Sequence, residues 1–295
     1  MQPSVPSAAR TLHAALLRWL FVAVAGLGLA GCGLGLVYPR LDTVLGFYLE
    51  GLVTLDPAQS AELKRILAGN LEWHRRSELD RYSSFLRELA GAVDRGAGRE
   101  DWLAAGLRTE EYWRRVFEQA APGYASLAAT FTDAQVAELL ASLEREDGKE
   151  RREFASRSPD ERDARREKSV RRALERFTGP LTAQQRALVR AHVADSPSFV
   201  PEWLDNRRVW RAALADALAV RHRRAEFDAR MRVLVARPDD LWTPRYRAAV
   251  AGRRTALADL MARLDATLTP EQRAAASREL LALADEVQDL ARRRG

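Results

Sequence analysis

The sequence predicts an all-α protein: an elongated array of mostly antiparallel amphipathic helices behind a lipoprotein signal peptide. Three observations carry that prediction. Apolar residues recur every three or four positions along nearly all of residues 41–295, the period of a helix face. No convincing run of alternating β-branched residues, the mark of a half-buried strand, interrupts them. Several segments also open on the same cue, an Asp, Ser or Thr followed three residues later by Gln or Glu.

The first element, residues 1–31, reads as an export signal. Arg10 and Arg18 precede the apolar run Trp19–Ala30, and the first acidic residue is Asp42, the charge order of a secretory leader. The run ends in Leu29-Ala30-Gly31-Cys32, which resembles the lipobox of bacterial lipoproteins. Small residues at 30 and 31 let an extended backbone enter a peptidase. The Cys32 thiol is the nucleophile that takes a diacylglyceryl group before cleavage. The resemblance implies that Cys32 becomes the first mature residue, acylated on sulfur and amine with palmitate-type chains. More than one chain exceeds the limit at which membrane attachment is reversible. The rival reading is an uncleaved anchor, since Trp19–Tyr38 is a charge-free stretch of bilayer-spanning length. Gly26, Gly28, Gly31, Gly33 and Gly35 argue against it, each costing about 1 kcal/mol in a helix interior. Gly33 stands where such lipoproteins carry Asp for inner-membrane retention, which favours the periplasmic face of the outer membrane over the inner membrane. Residues 32–40 form a short linker.

Composition bounds the rest. With 295 residues, 47% hydrophobic and 30% charged, the chain has ample material for a core. A single cysteine excludes intramolecular disulfides and thiolate zinc clusters, and four histidines leave little for relay chemistry. The net charge of +6 falls to about +4 when Arg10 and Arg18 leave. Lysine occurs only at 64, 149 and 168, so the basic charge is nearly all guanidinium. The densest stretch, Glu144 to Arg176, mixes twelve basic with ten acidic residues. That is a solvated, ion-paired face rather than a nucleic-acid footprint.

Within the helical domain, 41–295, a short helix covers Leu41 to Val53. Leu63, Leu67, Leu71, His74, Glu78, Tyr82, Phe85, Leu89 and Val93 step along one face and predict a single long helix. Further helices are expected over Thr109–Ala128, Asp133–Arg152, Pro159–Phe177, Ala183–Val193, Glu202–Ala236, Pro244–Ala266 and Pro270–Arg292. Asp56/Gln59, Thr132/Gln135, Ser158/Glu161, Thr182/Gln185 and Thr269/Gln272 are capping boxes, with Pro57, Pro159 and Pro270 at first helical positions. Pro159 and the Ser196-Pro197-Ser198 stretch are the expected bends, and two subdomains could meet near 178–200.

The Leu-Thr-x-x-Gln form of two of these starts, Leu181–Gln185 and Leu268–Gln272, resembles the motif of small periplasmic stress chaperones. That resemblance implies ATP-independent holding of unfolded clients, although capping physics alone produces the same pattern. A broader resemblance rests on Tyr38–Asp42, Tyr48-Leu49, Leu55–Gln59, Trp73–Tyr82, Gly179–Thr182 and Trp203–Trp210. These segments are similar to an uncharacterised family of proteobacterial lipoproteins. This implies a helical, lipid-anchored envelope protein and imports no activity.

Candidate sites are few. Trp73, His74, Arg75 and Arg76, and Trp203, Arg207, Trp210 and Arg211, combine aromatics with guanidinium at helical spacing. They either pack the core, with arginine laid over indole, or line a groove for an anionic glycan, headgroup or acidic peptide. His74/Glu78 and His222/Glu226 have a spacing that could supply a metal only if their helices faced each other. No nucleophile elbow, phosphate loop or His-Glu-x-x-His is present. The expectation is therefore a noncatalytic protein with no metal or cofactor and no nucleic-acid partner. It would be held to the membrane by its lipid and would bind an envelope protein or cell-wall partner, or else act as a lipopolysaccharide-binding accessory.

Overall fold

A computed structural model describes residues 34–293. The lipobox residues Leu29, Ala30 and Gly31 and the acylation candidate Cys32 lie outside the described residues. Among those described, every regular element is helical. The order is α1 (Leu34–Val37), a 3-10 turn (Tyr38–Arg40), α2 (Leu41–Glu50), α3 (Pro57–Ser77), α4 (Leu79–Arg95), α5 (Arg99–Ala128) and α6 (Asp133–Ala155). There follow α7 (Pro159–Thr178), α8 (Ala183–Asp195), α9 (Val200–Ala219), α10 (Arg224–Ala236), a 3-10 turn (Pro238–Leu241), α11 (Pro244–Asp265) and α12 (Pro270–Arg292). Among these residues no helix is long and apolar enough to cross a membrane.

All five expected capping boxes form. Apart from end shifts of at most three residues, three features differ from the sequence reading. The stripe from Leu63 to Val93 is two helices, broken at Glu78, whose φ of −113° is far from the usual helical value near −63°. Hydrogen bonding carries through the break, because the Glu78 N–H donates to His74 O and its carbonyl accepts from Tyr82 N–H, both at 3.0 Å. Periodicity cannot register a bend that preserves the ladder. The expected helix 202–236 is likewise two, α9 and α10. In the intervening turn, buried Arg221 donates to Phe131 O at 2.7 Å and to Leu218 O at 3.0 Å and pairs with Asp133. Finally, α5 begins at Arg99, not Thr109. Its cap position is Gly98, which has no side chain to announce it, and only the Asp101 carboxylate closes the turn, accepting from Gly98 N–H at 2.8 Å.

Two apolar cores result. Core 1 gathers Leu63, Ile66 and Leu67 of α3, Ala125 and Leu127 of α5, Leu143 of α6, Leu214 and Leu218 of α9, and Phe227 and Met231 of α10. Core 2 gathers Leu79, Tyr82, Leu86 and Val93 of α4, Leu280, Leu283 and Val287 of α12, and Tyr38. Each core draws on chain from both sides of residues 178–200. Helices α3 and α5 serve both, because Leu71 and Tyr112 pack on core 2. These two helices cross closely at Gly123, where a Cβ would lie 2.8 Å from Ile66 Cγ2.

The capping glutamines also reach across space. Gln59 Nε2 donates to Thr130 O at 3.2 Å and to Gln135 Oε1 at 3.2 Å, while Gln135 Nε2 donates to Thr54 O at 2.8 Å and to Gln59 Oε1 at 2.6 Å. Gln185 and Gln272 repeat the arrangement. Their Nε2 atoms donate to Thr267 O and Pro180 O, both at 3.0 Å, and to each other's Oε1 at 2.7 and 3.0 Å. Each Oε1 also accepts its own cap N–H. Every glutamine thus uses both amide hydrogens and both oxygen lone pairs, which is what allows it to be buried without penalty. A motif that looks local in sequence clamps α3 to α6 and α8 to α12.

Candidate functional site

The break at Glu78 brings a buried carboxylate, an inward histidine and two shielded phenols together. The Glu78 side chain is 0% exposed, and its carboxylate accepts from Arg115 Nε at 3.1 Å on both oxygens and from Nη2 at 2.7 Å. Those hydrogen bonds hold the Arg115 guanidinium above its usual range. A carboxylate in an apolar stripe needs a bidentate partner of this kind, since an isolated buried charge would be untenable.

One turn before it, the His74 ring faces inward. Its Nδ1 lies 2.9 Å from the Tyr38 hydroxyl, which is also 3.4 Å from Leu71 O. Burial lowers the His74 pKa to about 4, an effect partly offset by the Glu78 charge, so the imidazole is neutral near pH 7. The same burial raises the Tyr38 and Tyr82 phenols well above their ordinary value. Ring contacts run from the N-terminal segment to α5. Tyr38 meets His74 at 5.8 Å, His74 meets Tyr82 edge-on at 5.4 Å, and Tyr82 meets Tyr112 at 4.7 Å.

This chain of rings ends at an open cleft of about 450 Å³ between α4 and α5, lined by Asp80, Arg81, Ser84, Arg108, Glu111, Tyr112 and Arg115. Arg108 is paired with Glu88 and lies 5.4 Å over the Phe85 ring, and the Tyr112 hydroxyl donates to Arg81 O at 3.3 Å. The cleft offers guanidinium and carboxylate groups to a polar ligand.

The expected site residues separate into two places. Trp73 and His74 are half-buried on α3. Arg75 pairs with Glu72 and donates to Arg293 O, tying α3 to the end of α12, and exposed Arg76 pairs with Glu72 as well. The second group sits beside core 1. Arg207 lies 5.1 Å over the Trp203 ring, and Trp210 Nε1 donates to Leu234 O at 2.9 Å. Arg207 and Arg211 both pair with buried Asp147. These arginines clamp α9 to α6. His222 falls in the turn 220–223, and Glu226 is engaged by Arg223 at 2.9 Å and Arg230 at 2.6 Å. Among the described residues no group of three or more His, Cys, Asp or Glu is placed to hold a metal ion.

Sequence reasoning missed Tyr38, Tyr112 and Arg115. The one available signal was Glu78 itself, a carboxylate on an apolar face that demands a cation from elsewhere. Nothing in α5, rich in arginine and glutamate, marks Arg115 as that cation.

The model of a family of unknown function, DUF6279, matches residues 51–247. The chain belongs to that family. The DUF6279 match contains all of core 1, the Gln59/Gln135 clamp and the Glu78–Arg115 pair, whereas Tyr38 and α12, which complete core 2, lie beyond it. Among curated proteins and solved structures, nothing matches.

Proposed function

We propose that this protein is a lipoprotein of the Gram-negative cell envelope, acylated at Cys32 and facing the periplasm from the outer membrane, with a noncatalytic binding role toward an envelope protein or cell-wall partner. The observation that carries this reading is the sequence Leu29-Ala30-Gly31-Cys32, which ends six residues before Tyr38, a buried side chain of the folded body. A tether that short leaves the helical body at the membrane surface, where partners of the envelope are met.

The state of the buried groups supports a binding role over catalysis. His74 is neutral and engaged by Tyr38, and both Glu78 oxygens are held by Arg115, so neither is poised to exchange a proton with a ligand in the cleft. Among the described residues the exposed large apolar side chains are few: Val37 and Phe47 near the N-terminal end, and Leu107, Leu257 and Leu281 on three other helices. This distribution favours a defined partner over a surface for unfolded clients.

Cys32→Ser tests the anchor. The variant should lose its acyl label and leave the membrane fraction, and an unchanged membrane fraction would refute lipidation. Crosslinking in intact cells should then recover one dominant partner; many unrelated unfolded clients would instead establish a holdase.

A further inference from the structure

Two large apolar side chains stand most open to solvent among the described residues, Phe47 at 70% and Val37 at 57%. Both lie in the first segment after Cys32. Helix α2 reads Leu-Asp-Thr-Val-Leu-Gly-Phe-Tyr-Leu-Glu, apolar at most positions, yet it buries none of its ten residues fully. Its inner side is accounted for: Leu45, Tyr48 and Leu49 pack against core 1 and Leu41 against core 2. Its outer side carries exposed Thr43 and Phe47, and exposed Val37 and Arg40 precede it in α1 and the 3-10 turn. Ordinary packing puts a phenylalanine inside a helical protein; here it projects away from both cores.

The position of these residues says what covers them. Four residues lie between Cys32 and Val37, five Cα–Cα steps spanning at most about 18 Å. The far end of that tether is fixed, not swivelling, because Tyr38 is buried and bonded to His74 and the adjoining Arg75 is tied to α12 at Arg293. An acyl group inserted in a bilayer therefore keeps Val37 within about 18 Å of the lipid, and exposed Arg40 and Phe47 follow within the next ten residues. The chemistry suits that surface. A phenyl ring and a valine enter the headgroup–acyl boundary, while the Arg40 guanidinium meets phosphate.

We propose that the exposed side of α2, with Val37 and Arg40 before it, docks on the bilayer surface, converting the single lipid tether into a two-point attachment that fixes which end of the body faces the membrane. The proposal rests on acylation of Cys32, and its test reads the two separately. The full chain carrying Thr43→Cys, or Leu257→Cys as an exposed control on α11, is labelled with an environment-sensitive fluorophore. It is then reconstituted into phosphatidylethanolamine–phosphatidylglycerol vesicles containing a headgroup-level quencher lipid. Mass spectrometry of the N-terminal peptide from the same preparation reports acylation. Docking predicts quenching at the Thr43 position roughly threefold above the Leu257 position, falling to the control level when Phe47→Asp is added. Acylated Cys32 with equal quenching at both positions would overturn docking and leave the anchor standing. An unmodified Cys32 would overturn the anchor, and docking with it.

Discussion

Two buried carboxylates, one beside each core, are held in different ways. Asp147, beside core 1, is clasped by both Arg207 and Arg211. Glu78, beside core 2, has Arg115 alone, with a neutral histidine one turn away. The first arrangement is redundant: either guanidinium can leave and the carboxylate keeps a partner. The second is not. Losing one side of a buried pair costs far more than the pair contributes net, because the remaining charge stays desolvated. The Asp147 site is thus insulated from the loss of either arginine, whereas the Glu78 site, where the N-terminal segment, α3, α4 and α5 meet, depends on one ion pair and on the protonation of His74.

The largest expected effect breaks that contrast directly. Arg115→Met should destabilise the fold by about 3–5 kcal/mol, while Arg211→Met should cost only about 1 kcal/mol. Denaturant titration of the two variants checks the difference, and equal losses would show that redundancy around Asp147 does not matter. Adding Glu78→Leu to Arg115→Met should recover most of the stability, since an apolar pair of similar volume removes the stranded charge.

Acid should act on core 2 next. The folded-state pKa of His74 is about 4, below its unfolded value near 6.5. The unfolded chain therefore binds a proton that the native state refuses between these values. Stability is fully present above pH 6.5 and falls as pH drops toward 4, by up to about 3 kcal/mol at about 1.4 kcal/mol per unit. His74→Phe should remove this component from the stability–pH profile. Amide exchange under the same acidification should rise first around Tyr82 and Val287 and last around Leu218 and Phe227. Simultaneous loss of protection would mean that α3 and α5 couple the cores into one unit.

The smallest effect separates the two glutamine clamps. Gln185 is 0% exposed and Gln135 half-buried. Gln185→Ala should cost about 2 kcal/mol, because it strands Gln272 and Thr267 O away from water. Gln135→Ala should cost about 1 kcal/mol, because water can replace part of its network. Thermal unfolding of both variants measures the gap.

Much of the fold was legible in the sequence because its signals are local. Asp56 with Gln59 and Thr269 with Gln272 mark helix starts through contacts three residues apart, and the boxes formed where those pairs stand. The breaks were not legible. Glu78 keeps its helical hydrogen bonds while its φ turns away, and the turn at 220–223 is stabilised by Arg221 reaching Phe131, ninety residues away. Of the expected site residues, His74 belongs to a buried network, whereas Arg207 and Trp210 are committed to holding α9 in place.

The sequence by itself determined that this chain is helical and where most helices begin, because helix capping depends on neighbours within a few residues. Only the tertiary structure decided that Glu78 meets Arg115, that the glutamines clamp in pairs, and that α2 turns Phe47 outward. Those contacts join residues 37 to 87 positions apart, or depend on which face the rest of the fold leaves uncovered, and no local period encodes either.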